Sequence, residues 1–361
     1  MKKRINIMTS CDGNLVKYIL PQLTSINKNL SDYDIHFYLA HSRIFPKEVQ
    51  ALKLFAQEKT SITFHEVKVT KNIPFYESLV TGGGGQWPQE AYFTLRVQDY
   101  IPDDVDRIMY IDAGDVIING DIAPYYFGDF EGKSLIASQM NFKINPSTNE
   151  RELYTKNDVL TVAACTLFNS GSYIINMEKL RKEGCTVNEY VKLRDTLLKN
   201  SKNGQPAYFG DQGFLSAVFA GDINFFGYPQ YKDSKYMPYN FRTSYWGMFD
   251  GEPDYEPVVL HYAIMSKPWV VRFTEKDINA VIDKPDFVAK RLTVPIPTIA
   301  CMTPQHLRLG EVWWKYAKET PIYEEANTRA TITAESWVKH YLPLCARYVD
   351  VCNQIAQIER N

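Results

Sequence analysis

The chain has 361 residues, enough for one large α/β domain with an appendage or for two domains, and ample for a buried core. Its 40 basic and 42 acidic residues leave a net charge of −2, which excludes a general electrostatic pull toward nucleic acid or an anionic membrane. Only short apolar runs follow Lys2–Arg4, and no stretch approaches the ~18 apolar residues of a spanning helix; with six cysteines and no Cys-x-x-Cys spacing, a protein with free thiols in a reducing cytoplasm is expected.

Lys3–Thr9 reads as a first, buried strand that ends at Ser10–Asn14. Leu15–Asn27 carries apolar residues at helical spacing. Asp34–Leu39 is predicted as a second strand, Lys47–Phe55 as a helix and Ile62–Val67 as a third strand. Gln89–Tyr100 is predicted helical and Arg107–Ile111 extended. Strands alternating with helices predict a mostly parallel sheet. Ligands of such sheets sit outside the carboxyl ends of the strands, which puts Asp12–Asn14 and Asp112–Asp115 on one rim.

Thr81–Pro88 (TGGGGQWP) interrupts the alternation. Four glycines predict a flexible loop, read as a mobile lid or linker. It lacks the Lys-Ser/Thr of a phosphate loop and does not open a helix after a strand. From Pro295 the texture changes, and Glu311–Lys318 and Ala334–Arg360 are predicted helical. In the second of these, Trp337, Tyr341, Leu344, Tyr348, Val351, Ile355 and Ile358 recur at spacings of three and four, giving one apolar stripe. A helix packed on its own domain is the first reading of that stripe. A homodimer seam and peripheral contact with the inner membrane face are the alternatives.

The chemistry concentrates in RIMYIDAGDVIINGDI. A buried strand that ends in two acids is costly unless the acids face solvent, a cation or a donor. Carboxylates at a strand end can hold a hard divalent cation, which in turn holds a diphosphate. Gly114 would let the backbone approach a ligand closely. The competing reading is an ordinary Asp/Gly turn, which also suits Asp121 in Asn119-Gly120-Asp121.

This segment resembles the strand-plus-Asp-x-Asp element of glycosyltransferase family 8, which includes lipooligosaccharide galactosyltransferases and glycogenins. The resemblance runs in order through about residues 5–270. Ser10-Cys11-Asp12-Gly13-Asn14 is similar to the family's first nucleotide loop, and Tyr92–Pro102 with Asp106–Asp112 to the helix and strand leading to its metal motif. Phe168-Asn169-Ser170-Gly171 resembles its Phe-Asn-Ala-Gly segment, Asp211-Gln212 its Asp-Gln pair, and Met237-Pro238-Tyr239-Asn240 its Tyr-Asn turn. His261 with Lys267-Pro268-Trp269 resembles its His-x5-Lys-Pro-Trp signature.

The resemblance implies an α/β, GT-A-type nucleotide-sugar transferase fold with a Rossmann-like sheet over residues 1–270 and a mainly helical C-terminal extension over 271–361. It implies a retaining hexosyltransferase that moves glucose or galactose from a UDP-sugar to an oligosaccharide, lipid-linked glycan, wall polymer or glycoprotein acceptor. Asp112, Asp115 and His261 are the expected ligands of Mn2+, with Mg2+ as second choice. Ser10, Asp12, Asn14, Ala113 and Lys267 are expected on the nucleotide, and Asn169, Asp211 and Gln212 on the donor sugar. A catalytically inactive sugar-nucleotide-binding protein and a sugar nucleotidyltransferase are the competing readings.

Four positions depart from the family pattern. The acid motif is one residue longer, Asp112-x-x-Asp115. Thr94 stands where an arginine is usual, Ile264 where a glycine is usual, and Leu15 where an aromatic often follows the base-binding Asn. Two arrangements of the acid motif follow: Asp115 reaches the metal through a bulge at Gly114, or Asp112 binds alone and Asp115 orients a water.

Overall fold

The structure is a computed structural model that describes residues 2–83, 87–139, 168–200, 207–208, 210–225, 241–242, 257–263, 267–274, 276–277, 304–341 and 354. Strand β1 (Arg4–Ser10) is buried from Ile5 to Ser10, polar Asn6, Thr9 and Ser10 included, because it lies inside a sheet covered on both faces. It pairs in parallel with β2 (Asp34–His41) on one side and β4 (Arg107–Ile111) on the other, and β2 pairs in parallel with β3 (Thr63–Lys68). Beyond β4 lies β7 (Phe168–Asn176), antiparallel to β4 and to β6 (Leu135–Gln139). β8 (Ile223–Phe225) closes the order β3-β2-β1-β4-β7-β6-β8 by pairing in parallel with β6. The mostly parallel sheet is as expected from the alternation of elements.

Successive side chains of a strand point to opposite faces, and the core divides accordingly. Ile5, Ile7, Phe37, Leu39 and Met109 pack on one face with Leu23 and Leu52 of helices α1 (Ile19–Asn29) and α2 (Pro46–Lys59). Met8, Tyr38, Ile108 and Tyr110 pack on the other with Tyr76 and Leu79 of α3 (Ile73–Gly82). Each such side chain, fully buried, contributes roughly 1.5–3 kcal/mol. α2 begins where Pro46 occupies the first turn and the Glu48 carboxylate accepts the Phe45 N–H at 3.3 Å.

The predicted helix over Gln89–Tyr100 is a 3-10 helix, Gln89–Asp99, broken at Arg96 (φ −125°, ψ 34°). The predicted loop Thr81–Pro88 needs a correction. Thr81 and Gly82 form the end of α3, a helix the glycine run concealed, while residues 84–86 lie outside the described set. α4 (Ala123–Tyr126) follows the Asn-Gly-Asp turn, where Asp121 Oδ1 accepts the Ala123 N–H at 2.9 Å; Asp121 is a turn residue, as read. α5 (Met177–Glu183) is capped by Asn176, whose side chain accepts the Lys179 N–H at 3.0 Å. α6 (Val187–Asn200) follows Thr186, which with Glu189 forms a reciprocal capping box. α7 (Gly210–Val218) carries Asp211 and Gln212 in its first turn and is buried along its length.

A small second sheet has β10 (Val259–His261) between β5 (Val116–Ile118) and β9 (Phe241–Arg242). Over it lies a third apolar cluster, joining Tyr18, Ile117, Leu260 and Trp269 to Trp313, Trp314 and Ala317 of α8 (Pro304–Ala317) and to Ala326 and Ala330 of α9 (Tyr323–Ser336). The described C-terminal helices therefore pack on their own chain. α9 begins earlier than the helix predicted from Ala334. The apolar stripe is described at Trp337 and Tyr341, in a short π-helical turn; the rest of its members lie outside the described residues. Among the described residues no helix is long and apolar enough to cross a membrane.

Candidate active site

The parallel strands β1 and β4 and the antiparallel β7 bring Ser10, Asp112 and Asn169–Ser170 to one rim, because β4 pairs with both neighbours. There they line a cavity of about 460 Å3, together with Asp115, Asp211, Gln212, His261 and Lys267. Residues separated by 257 positions thus meet in one place, as the switch-point rule predicts.

The turn that follows β4 is held from three directions. Gln22 of α1, fully buried, donates from Nε2 to the carbonyls of both Asp112 and Val116 at 2.9 Å. Trp313 of α8 donates its indole N–H to the Gly114 carbonyl at 3.3 Å, and Tyr262 donates its backbone N–H to the Asp115 carbonyl at 2.8 Å. Gly114 adopts φ +71°, and a Cβ there would stand 2.7 Å from Tyr18 Cβ. The extra residue of the acid motif is therefore absorbed as a left-handed turn that only glycine enters cheaply.

That turn returns Asp115 to the side of Asp112. One ligand atom from each of Asp112, Asp115 and His261 lies within 4.8 Å of the others. His261 is 3 % exposed and its Nε2 stands 3.3 Å from Asp112 Oδ2. It packs against β7 so closely that any Cβ on Gly171 would overlap the imidazole ring, and the glycine of Phe-Asn-Ser-Gly makes room for the histidine. Lys267 donates to Asp115 Oδ2 and, at 2.7 Å, to the Tyr262 carbonyl. Asp115 Oδ1 is buried without a hydrogen-bond partner among the described residues. An unsatisfied buried carboxylate oxygen beside a second carboxylate and an imidazole fits a divalent cation of intermediate softness.

Burial pushes the Asp112 carboxyl up to about 6, against the opposing pull of Lys267 and a hydrogen bond from Tyr110. Burial also raises Asp115, where Lys267 opposes the rise and the charge of Asp112 adds to it. Asp211 is pushed up to about 7 by burial and by Asp112, while hydrogen bonds from Ser170 and the local backbone oppose this. Three carboxyls crowded into one cavity with raised values form a site that draws in positive charge.

On the far side of the cavity Gln212 Oε1 accepts from Asn169 Nδ2 at 2.7 Å and from the Ser170 backbone N–H at 3.3 Å. The backbone N–H can only donate, so the orientation of the Gln212 amide is determined by the fold. Asn169 Oδ1 in turn accepts the Gly171 N–H at 3.1 Å.

The other expected residues divide. Ser10 and Ala113 line the cavity. Asp12 and Asn14 sit beside it rather than in its lining, paired with each other: Asp12 accepts the Asn14 backbone N–H at 2.9 Å and its side-chain amide at 3.0 Å. Thr94 is buried, and Arg96 does not replace the missing arginine. It is committed to Asp99 at 2.5 Å and to the Cys185 carbonyl at 2.7 Å. Leu15 lines the cavity, while the aromatic layer one turn on is Tyr18 stacked on Trp269 at 4.4 Å. Ile264 and Met237–Asn240 lie outside the described residues. Cys11 and Cys185 are free thiols, and burial pushes the Cys11 thiol up. Sequence reasoning missed Trp87, Tyr110 and Ala263 in the lining and Gln22 and Trp313 behind the turn. Only the position of Trp87, beside the glycine run, offered a signal.

Comparison with known proteins bears on the fold and the family. The model of the family described as "Glycosyl transferase family 8" matches residues 6–271. The glycosyltransferase GlyF of Streptococcus pneumoniae serotype 4 (strain ATCC BAA-334/TIGR4) is 24 % identical over 257 residues, 70 % of this chain and 54 % of that protein, so the chain spans about half the length of this relative. Among solved structures, the galactosyltransferase LgtC in complex with donor and acceptor sugar analogs superposes with a TM-score of 0.57 at 17 % identity, covering 89 % of this chain and all of LgtC. GlyE of S. pneumoniae TIGR4 gives 0.54 at 18 % identity, covering 93 % of this chain and 64 % of GlyE. These likenesses establish the GT-A fold, and the family match extends from β1 through the Lys-Pro-Trp signature. The chain belongs to glycosyl transferase family 8.

Proposed function

We propose that this protein transfers a hexose, glucose or galactose first, from a UDP-sugar to a glycan acceptor, with retention at the anomeric carbon and with Mn2+ preferred over Mg2+. The observation that carries this reading is the meeting in one cavity of Asp112, Asp115 and His261 with Asn169, Asp211 and Gln212. The first three are suited to a cation, and the last three to a polyhydroxylated ring.

Bound there, a divalent cation would neutralise charge developing on the departing diphosphate. Ser10, Ala113 and the Asp12–Asn14 loop are assigned to the uridine half, and Lys267 to the diphosphate edge. Asn169, Asp211 and Gln212 are assigned to the sugar. The Gln212 oxygen is already engaged by two donors, which leaves its NH2 end to meet a sugar oxygen. An amide held in that way serves as a fixed donor, not as a nucleophile. A front-side, oxocarbenium-like displacement is therefore favoured: the acceptor oxygen bonds to the anomeric carbon as the bond to the UDP oxygen breaks, and the acceptor proton leaves on the β-phosphate. We assign catalysis to residues 1–270 and a supporting role to residues 271–361, since Trp313 holds Gly114.

The test is UDP release from UDP-glucose and UDP-galactose with Mn2+ or Mg2+, without and with candidate glycan acceptors. Release that needs the metal is expected. Tight UDP binding with no release from any UDP-hexose would overturn the reading in favour of a binding protein, and pyrophosphate release from UTP and a sugar 1-phosphate would point to a nucleotidyltransferase.

A further inference from the structure

The first two glycines of Thr81–Pro88 do more than end a helix. Gly82 and Gly83 close α3, with the Gly83 N–H bonded to the Leu79 carbonyl at 3.1 Å. Both press against the segment that leads into α7. The Gly82 carbonyl accepts the Ala207 N–H at 3.0 Å, and Tyr208 donates its hydroxyl to the Leu79 carbonyl at 2.7 Å. A Cβ on Gly82 would stand 2.8 Å from Tyr208 Cζ, in a ring only 1 % exposed. A Cβ on Gly83 would overlap the Tyr92 hydroxyl and come within 3.2 Å of both Gly210 Cα and Tyr208 Cε2.

Gly210 is the first residue of α7, next to Asp211 and Gln212. It adopts φ +56°, and a Cβ on it would meet the Trp87 ring at 2.8 Å. The start of α7 is thus wedged between Gly83 on one side and Trp87 on the other. Close packing of this kind transmits displacement, because the contact with Gly83 is made by the Gly210 backbone itself.

We propose that Gly82 and Gly83 are positioning residues, a backbone socket that sets where α7 presents Asp211 and Gln212 to the cavity. This rests on the reading of Asp211 and Gln212 as sugar-facing groups. Reacting groups must be held within about 0.5 Å of their working positions, and a misplacement of ~1 Å can cost ~100-fold in rate. A single added methyl at Gly83 strikes the Tyr92 hydroxyl first and is thereby pressed toward the Gly210 backbone, 3.2 Å away.

The contact also supplies its own rescue. The Tyr92 hydroxyl is buried and has no hydrogen-bond partner among the described residues, so Tyr92→Phe removes the atom a Gly83 methyl would strike at little cost. The experiment compares wild type, Gly83→Ala, Tyr92→Phe and the double variant in Mn2+-dependent UDP release, with UDP affinity by calorimetry beside it. Gly83→Ala is expected to lower kcat at least tenfold with the Kd for UDP within twofold of wild type. Tyr92→Phe is expected to stay within threefold of wild type, and the double variant to recover most of the lost kcat. A Gly83→Ala kcat equal to wild type, or no recovery in the double variant, would overturn the proposal. If Gly83→Ala does not fold, the double variant is expected to fold and turn over within tenfold of Tyr92→Phe; failure of both to fold overturns it. Wild-type protein inert toward every UDP-hexose would instead sink the functional reading. The socket is then judged from crystal structures of wild type and the double variant beside Gly83→Ala: a shift of Gly210–Gln212 in the single variant that reverts in the double supports it, and an unmoved α7 refutes it.

Discussion

Lys267 is bonded to Asp115, not directed freely into the cavity. Its ammonium donates to Asp115 Oδ2 and, at 2.7 Å, to the carbonyl of Tyr262, while Asp115 Oδ1 stays buried and unpaired among the described residues. A fixed positive charge therefore sits against one of the carboxylates suited to a cation. Two positive charges close together in a poorly solvated site repel, so on the proposed reading Lys267 and a divalent cation would compete until a diphosphate arrived to satisfy both.

Lys267→Ala is accordingly expected to raise Mn2+ affinity in nucleotide-free protein by about tenfold, or ~1.4 kcal/mol. The same variant is expected to bind UDP more weakly when Mn2+ is present. Calorimetric titration of Mn2+ alone, and of UDP at saturating Mn2+, measures both. Weaker Mn2+ binding without nucleotide would show that Lys267 orients Asp115 rather than competing for it.

Asp112 directly follows the last residue of β4 and stands 3.3 Å from His261. Asp112→Asn keeps the shape and removes the charge. It is expected to abolish the metal-dependent part of UDP binding, followed by titrating UDP with Mn2+ and then with chelator. Equal binding in variant and wild type would place the metal elsewhere.

Gly114 is held at φ +71° with Tyr18 at its back. Gly114→Ala is expected to lower stability by ~1–3 kcal/mol through backbone strain and crowding. It should weaken Mn2+ binding in parallel, because the same turn aims Asp115. Urea unfolding and the Mn2+ titration report the two effects, and a loss of neither would mean the turn is slack.

The acid limb of stability should depend on Glu90. Its side chain is fully buried, and burial alone would raise its pKa; hydrogen bonds from Arg43 at 3.1 Å, from Ser42 at 2.6 Å and from the backbone outweigh burial and leave it below the ordinary value of 4.5. A folded-state value below the unfolded one stabilises the protein above pH ~4.5, and that share is lost as the pH falls through the lowered value. Glu90→Gln should cost ~1.5–3 kcal/mol at neutral pH and much less near pH 3. Unfolding midpoints across pH 3–7 that shift equally in both proteins would count against this assignment.

Local pattern carried much of this protein. The runs KRINIMT and RIMYI are legible as strands from their short, isoleucine-rich pattern between turn signals, and Asp112 stands out because a charge at the end of a buried strand needs a reason. His261, Asn169 and Gln212 came from ordered motifs, whose side-chain chemistry is local. What the tertiary structure alone decided involves partners far apart in sequence. Asp115 comes back to Asp112 because Gln22, Tyr262 and Trp313 hold the turn around Gly114, and its carboxylate is oriented by Lys267, 152 residues away. The glycine run reads as a loop because glycine disfavours helix wherever packing is ignored. In the fold, Gly82 and Gly83 are where α3 must touch Tyr208 and Gly210. A chain's neighbours in sequence set its periodicity, but close approach between elements is decided by which surfaces the fold brings together, and no short window of residues contains both.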